Sequence, residues 1–217
     1  IKGICFLFAY AITNHHNRSR DYNMNINLRV KIYVGVAIFL AITYLVKINT
    51  EHESLPVIGS IPEFEFVDSE GRTIGLNTLK GKVWVADFIF TTCTMACPIM
   101  TGNMNTIHKK YKKNDDLRLV SISVYPEYDT PEVLKKYASQ YDANTDNWHF
   151  LTGKESTVKE VIRDGFKIGD YEDIIFHSEK FALVDKNGMI RAYYNGMKTE
   201  DMKKLKKDIN NLLKQTS

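Results

Sequence analysis

Residues 82–98 read KVWVADFIFTTCTMACP, and the fold is decided by how that stretch is read. From Lys82 to Phe90, β-branched and aromatic side chains occupy both alternations, the pattern of a strand buried on both faces. Cys93 and Cys97 follow it, and Pro98 comes directly after the second cysteine. Proline is tolerated in the first turn of a helix, where its missing N–H has no intrahelical partner. The segment from Pro98 to Lys113 carries Ile99, Met100, Asn103, Met104 and Ile107 at helical spacing, which predicts a helix. A strand that feeds a helix through a cysteine loop puts both thiols beyond the C-terminal end of a central strand, where open α/β sheets place their sites.

The flanking sequence extends this pattern. Phe64 to Phe66 and Thr73-Ile74 read as strands around an Asp68 to Gly71 turn, and Leu117 to Val124 reads as a further strand. Asp129, Thr130, Pro131 and Glu132 form a helix start that leads through Leu134 and Tyr137. Trp148 to Leu151 is a short strand, and Glu155 to Phe166 has a helical pattern. Asn187-Gly188 between Lys180–Asp185 and Met189–Tyr194 is the signature of a tight hairpin, and Thr199 to Leu213 reads as a closing amphipathic helix. Strands alternating with helices, then hairpin plus helix, predict an α/β fold of thioredoxin-like architecture: a mixed sheet with helices on both faces.

The N-terminal part is different. Residues 1–29 form an N-terminal segment in which Met24 is the expected translation start, so that residues 1–23 would be absent from the native protein. Residues 30–47 read as a transmembrane anchor: an apolar run flanked by Lys31 and Lys47, whose long side chains reach back towards the interface. No small-x-small cleavage pattern follows Val46, so the anchor is expected to stay uncleaved. Arg29 and Lys31 on its N-terminal side predict a cytoplasmic N-terminus and a globular domain on the outer side of the membrane. Residues 48–60, with Pro56 and Gly59, read as a linker, and residues 61–217 as the domain.

Composition narrows the function. A net charge of +3 over 217 residues, with no basic stripe interleaved with aromatics, argues against nucleic acid. The lysines between Lys203 and Lys207 lie at helical spacing and read as a solvated face. Three cysteines are too few for a disulfide scaffold, and two of them four residues apart indicate a redox or metal site. A helix N-terminus favours the thiolate, the form that both attacks disulfides and binds metal. Three intervening residues, one more than in redox thioredoxins, widen the bite between the sulfurs towards spanning a metal, and a disulfide remains feasible. Two soft sulfurs favour Cu(I), and an added imidazole extends the preference to Cu(II). A peroxidase would need a Pro-x-x-x-Thr-x-x-Cys pattern, which this loop does not match.

Cys-x-x-x-Cys-Pro after a strand with an aromatic end resembles the Sco/SenC family of copper proteins, which assist assembly of the dinuclear copper centre of cytochrome c oxidase. The segment from Ser123 through Pro131 to Ala138, the segment Trp148 to Gly153, and Phe176-His177-Ser178 before the Asp185 hairpin extend the resemblance over roughly residues 61–215. By that resemblance Cys93 and Cys97 are thiolate ligands and His177 is the imidazole ligand of a copper ion. The implied partners are the copper-bearing subunit of cytochrome c oxidase and either a copper donor or a thiol-disulfide partner. Thr94 stands where many members have proline, and Phe176 where an acidic residue is common. Asp87 reads either as a buried acid tuning the thiols or as an edge-facing residue, and Met95 as a packing residue or a thioether donor. Two functions remain open: a metallochaperone that holds and passes on copper, and a membrane-anchored thiol-disulfide oxidoreductase that uses Cys93 and Cys97 to reduce a partner's cysteine pair. The second needs both cysteines but not His177.

Overall fold

The computed structural model describes residues 26, 28–45, 55–168 and 179–215. Helix α1 spans Leu28–Leu45, 18 residues long and apolar enough to cross a membrane. Its side chains are exposed along its whole length. The rest forms a separate compact unit, Ser54–Ser217, which holds the entire sheet and both hydrophobic cores.

In that unit the elements run β1 (Gly59–Ser60), β2 (Glu65–Asp68), β3 (Thr73–Gly75), α2 (Leu76–Leu79), β4 (Val83–Ile89), α3 (Ala96–Tyr111), β5 (Leu117–Ser123), α4 (Pro131–Ser139), β6 (Trp148–Thr152) and α5 (Glu155–Glu160). A π-helical turn, Val161–Phe166, continues α5, and β7 (Lys180–Val184), β8 (Met189–Asn195) and α6 (Thr199–Lys214) complete the unit. The eight strands make one mixed sheet in the order β1-β8-β7-β4-β5-β6-β2-β3. β4 pairs in parallel with β5 and antiparallel with β7, while β5 and β6 are parallel.

Strand β4 lies at the middle of the sheet, and all seven of its residues are buried. Its alternation divides the interior in two. Val83, Val85 and Ile89 face one core with Met100, Met104 and Ile107 of α3, Leu134 of α4 and Leu205 and Ile209 of α6. Trp84, Ala86 and Phe88 face the other, closed by Leu79 of α2, Val158 of α5 and Val161, Ile162 and Phe166 of the π-turn. Helices therefore cover both faces, as a strand apolar on both alternations requires.

Three details depart from the sequence reading. The sheet begins inside the stretch read as linker: Gly59–Ser60 pairs with β8, and the Ile58 N–H donates to Ile190 O at 2.8 Å. Helix α3 starts at Ala96, two residues before Pro98, so Cys97 lies within its first turn. The helix expected over Glu155 to Phe166 is α-helical only to Glu160 and then widens into the π-turn.

Candidate metal centre

Parallel pairing of β4 with β5, Ile89 opposite Ser123, brings the loops after these two strands side by side. The first carries the cysteines. The Cys93 N–H donates to Phe90 O at 3.1 Å, turning the chain back towards α3. Met95 is the N-cap of α3 and makes no side-chain cap bond. The Cys93 sulfur takes that place, accepting the Cys97 N–H at 3.5 Å. A helix N-terminus leaves its first amides without intrahelical acceptors, and here one of them points at a thiol.

The two thiols are held differently. Cys93 is half-buried and Cys97 is buried, 5% exposed, and neither is disulfide-bonded. Burial pushes the Cys93 thiol up, but N–H groups of Cys97, Met95 and Ala96 outweigh it and leave its pKa below the ordinary value. Burial pushes Cys97 up to about 12, with Cys93 and Asp87 adding to the shift against a lowering hydrogen bond from Phe90. Cys93 is therefore the thiol that ionises first, and its environment already stabilises the anion.

Asp87 lies on β4 facing Cys97's side of the sheet and is fully buried. It is an interior acid and not an edge residue. Neither carboxylate oxygen meets full hydrogen-bond geometry with a partner. Burial raises its pKa to about 7, against modest opposition from Ser121 across the strand pair and its own backbone N–H. Met95 is 80% exposed, so it packs in neither core.

Sequence reading missed the residue that fixes the cysteine loop. Asp129, fully buried, accepts the Thr91 hydroxyl at 2.5 Å, the Thr91 N–H at 3.2 and 3.3 Å, and the Ser123 hydroxyl at 2.6 Å. Thr130, next to it, caps α4 by accepting the Val133 N–H, with Pro131 in the first turn. The helix-start signal at 129–132 was legible. What it hid is that Thr130 performs the capping and leaves the Asp129 carboxylate free to hold the loop two residues before Cys93.

The structure thus brings Cys93 and Cys97 together, whereas His177 lies outside the described residues. Two other histidines have local roles: His108 Nε2 accepts the Asn144 N–H at 3.3 Å, and His149 Nδ1 lies 3.4 Å from Asp68. Among the described residues no three His, Cys, Asp or Glu side chains converge as a metal-binding group. The donor set is therefore a pair of sulfurs at a helix N-terminus, one favoured as thiolate, and suits a soft metal ion or reversible disulfide chemistry.

A cysteine pair at the start of a helix, beyond the end of a central strand in a mixed sheet covered on both faces, defines a thioredoxin-like thiol protein. The sequence profile of the SCO1/SenC family matches residues 57–214, and the chain belongs to that family. A SCO1 protein homolog of Bacillus subtilis (strain 168) is 38% identical over 169 residues, which is 75% of this chain and 88% of the relative. Among solved structures, BsSco, described with a disulfide switch and as a member of the Sco family of cytochrome c oxidase assembly proteins, aligns with a TM-score of 0.67. It is 35% identical and covers 76% of this chain and 100% of its own. Bradyrhizobium japonicum ScoI, solved with copper bound, aligns with a TM-score of 0.55 at 26% identity and covers 69% of this chain and 99% of its own.

Proposed function

We propose that this protein is a copper-binding assembly factor in which Cys93, Cys97 and His177 hold copper and pass it by ligand exchange to the dinuclear copper centre of cytochrome c oxidase. The observation that carries the reading is the Cys93 sulfur, which accepts the Cys97 N–H at the start of α3 and is biased towards thiolate beside a second cysteine. Family membership and the copper-bound relative support copper as the metal. In this reading α1 anchors the chain, the N-terminus is cytoplasmic, and the globular domain works on the outer side of the membrane. Half-exposed Cys93 is the ligand at which an incoming donor or departing acceptor exchanges, and buried Cys97 holds the metal from behind.

The asymmetry of the thiols also supports a second reading, a thiol-disulfide oxidoreductase. The Cys93 thiolate attacks a partner disulfide, forming a mixed disulfide and releasing one partner thiolate. Cys97, after losing its proton, then attacks Cys93 sulfur. The products are a Cys93–Cys97 disulfide and a reduced partner dithiol, with two electrons transferred.

One experiment separates the readings: the copper-loaded protein is mixed with the apo copper-bearing domain of the oxidase subunit, its cysteines prereduced. Formation of the dinuclear copper spectrum at the expense of donor copper is the expected result. No transfer to a prereduced acceptor, with rapid reduction of an oxidised one, would replace copper delivery by dithiol exchange.

A further inference from the structure

Two runs of identical pattern stand apart from the cysteine site: Lys109-Lys110-Tyr111-Lys112-Lys113 at the end of α3 and Lys203-Lys204-Leu205-Lys206-Lys207 in α6. Each has a core residue at its centre. Tyr111 and Leu205 are buried in the same core. Tyr111 also ties the two helices together, its hydroxyl donating to Lys206 O at 3.0 Å and lying 2.9 Å from Asn210 Oδ1. The runs are therefore neighbours on one surface, although about ninety residues separate them. Lys110 is close enough to Lys206 to help lower that lysine's pKa, after the larger effect of burial.

The result is eight lysines with no acid inside either run, seven of them exposed and Lys206 half-buried. Only Lys203 has an ion pair among the described residues, with Glu200 at 2.8 Å. Nearby acids are occupied elsewhere: Asp116 with Lys82, Asp201 with the Asn195 N–H and Asp208 with the Tyr194 hydroxyl. Asp115 is the exposed exception. Like charges held side by side repel one another, and among the described residues Glu200 is the acid that pairs with either run.

We propose that this α3–α6 lysine face is a docking surface for an anionic phospholipid membrane. Seven exposed ammonium groups clustered at the end of α3 and along α6 match a delocalised sheet of negative charge. Lysine, a compact point charge, binds phosphate without the bidentate geometry that a specific site would use. The apolar helix Leu28–Leu45, long and apolar enough to cross a membrane, supplies the second argument, which rests on the anchoring reading proposed above: an anchored chain keeps its lysines at high effective concentration near lipid headgroups. The face also has a direction. Cys97 lies in the first turn of α3 and Tyr111 in the last, about 20 Å apart along a helix of this length. Docking through the lysine end leaves the cysteine loop facing away from the lipid.

The test uses residues 55–217, the compact unit with its own two cores, so that α1 does not insert and mask the effect. Co-sedimentation is measured with phosphatidylcholine vesicles and with vesicles containing phosphatidylglycerol, at 50 mM and 500 mM salt. The expected result is binding to the anionic vesicles alone, lost at high salt. It should weaken at least about tenfold when Lys109, Lys113, Lys204 and Lys207 are changed to Gln, and hold within about twofold when Lys80, Lys136, Lys154 and Lys180 are changed instead. A fluorophore on Cys93 should stay unquenched by spin-labelled lipid while the protein is bound. Absence of binding to anionic vesicles at low salt would overturn the proposal, as would equal loss in both quadruple variants. Capture by an acidic protein surface without vesicle binding would replace lipid with protein, and quenching at Cys93 would overturn the orientation.

Discussion

A sulfur four residues before an amide can cap a helix and remain a nucleophile, and that double use explains the unequal thiols here. The unsatisfied N–H groups at the start of α3 favour negative charge at Cys93, while Cys97, one turn in, is shut off from water. At pH 7 the prereduced protein should therefore be alkylated at Cys93 at least about a hundredfold faster than at Cys97, read by peptide mass spectrometry over time. Equal rates would mean that the loop does not hold this geometry in solution. Asp87 has the opposite problem, a carboxylate with no adequate partner. Folded, it keeps its proton to about 7, whereas unfolded it releases it near 3.8. Between those values the folded chain binds more protons than the unfolded one, so stability falls as pH rises, and above about 7 the penalty for burying the ionised carboxylate is at its full, constant value. Asp87→Asn should flatten that fall and leave the variant about 2–4 kcal/mol more stable than the parent at pH 8 in urea unfolding. An unchanged pH profile would show that Asp87 is solvated or paired.

Among the elements, those with strong local signals were legible and those made by distant pairing were not. Strand β4 could be read because both alternations are apolar, and the β7–β8 hairpin because Asn187-Gly188 supplies a tight turn. Gly188 sits at φ 77°, with Asp185 Oδ1 accepting the N–H groups of Asn187 and Met189. Strand β1 is only two residues long and exists because β8 offers an edge some 130 positions later, so no local pattern announces it. The cysteine pair was readable from its spacing, whereas its fastening through Asp129 depends on the parallel register of β4 with β5. Asp129→Ala would leave the Thr91 N–H, the Thr91 hydroxyl and the Ser123 hydroxyl without their buried acceptor. It should cost about 2–4 kcal/mol in urea unfolding and bring the Cys93 and Cys97 alkylation rates closer together. A loss below about 0.5 kcal/mol with unchanged rates would remove Asp129 from the account of the loop.

At the scale of the whole molecule, the chain separates three tasks. In the proposed reading the apolar helix attaches the chain, the sulfur pair at one end of α3 carries the chemistry, and the lysine surface at the other end makes the contact with lipid. In the sequence, Lys203 to Lys207 read as an ordinary solvated face, because nothing local tells that Lys109 to Lys113 lie beside them. Their adjacency comes from long-range packing: Tyr111 and Leu205 share one core, and the Tyr111 hydroxyl reaches Lys206 and Asn210. The third proposed ligand, His177, is assigned by resemblance to the family. The most direct measurement is copper stoichiometry and affinity by competition titration on prereduced residues 55–217, alongside the His177→Ala variant. The account predicts one tightly held copper per chain, with affinity falling by at least about a hundredfold and an altered absorption spectrum in the variant, while dithiol exchange is retained. Equal copper affinity and identical spectra in the two proteins would contradict a copper site built from Cys93, Cys97 and His177.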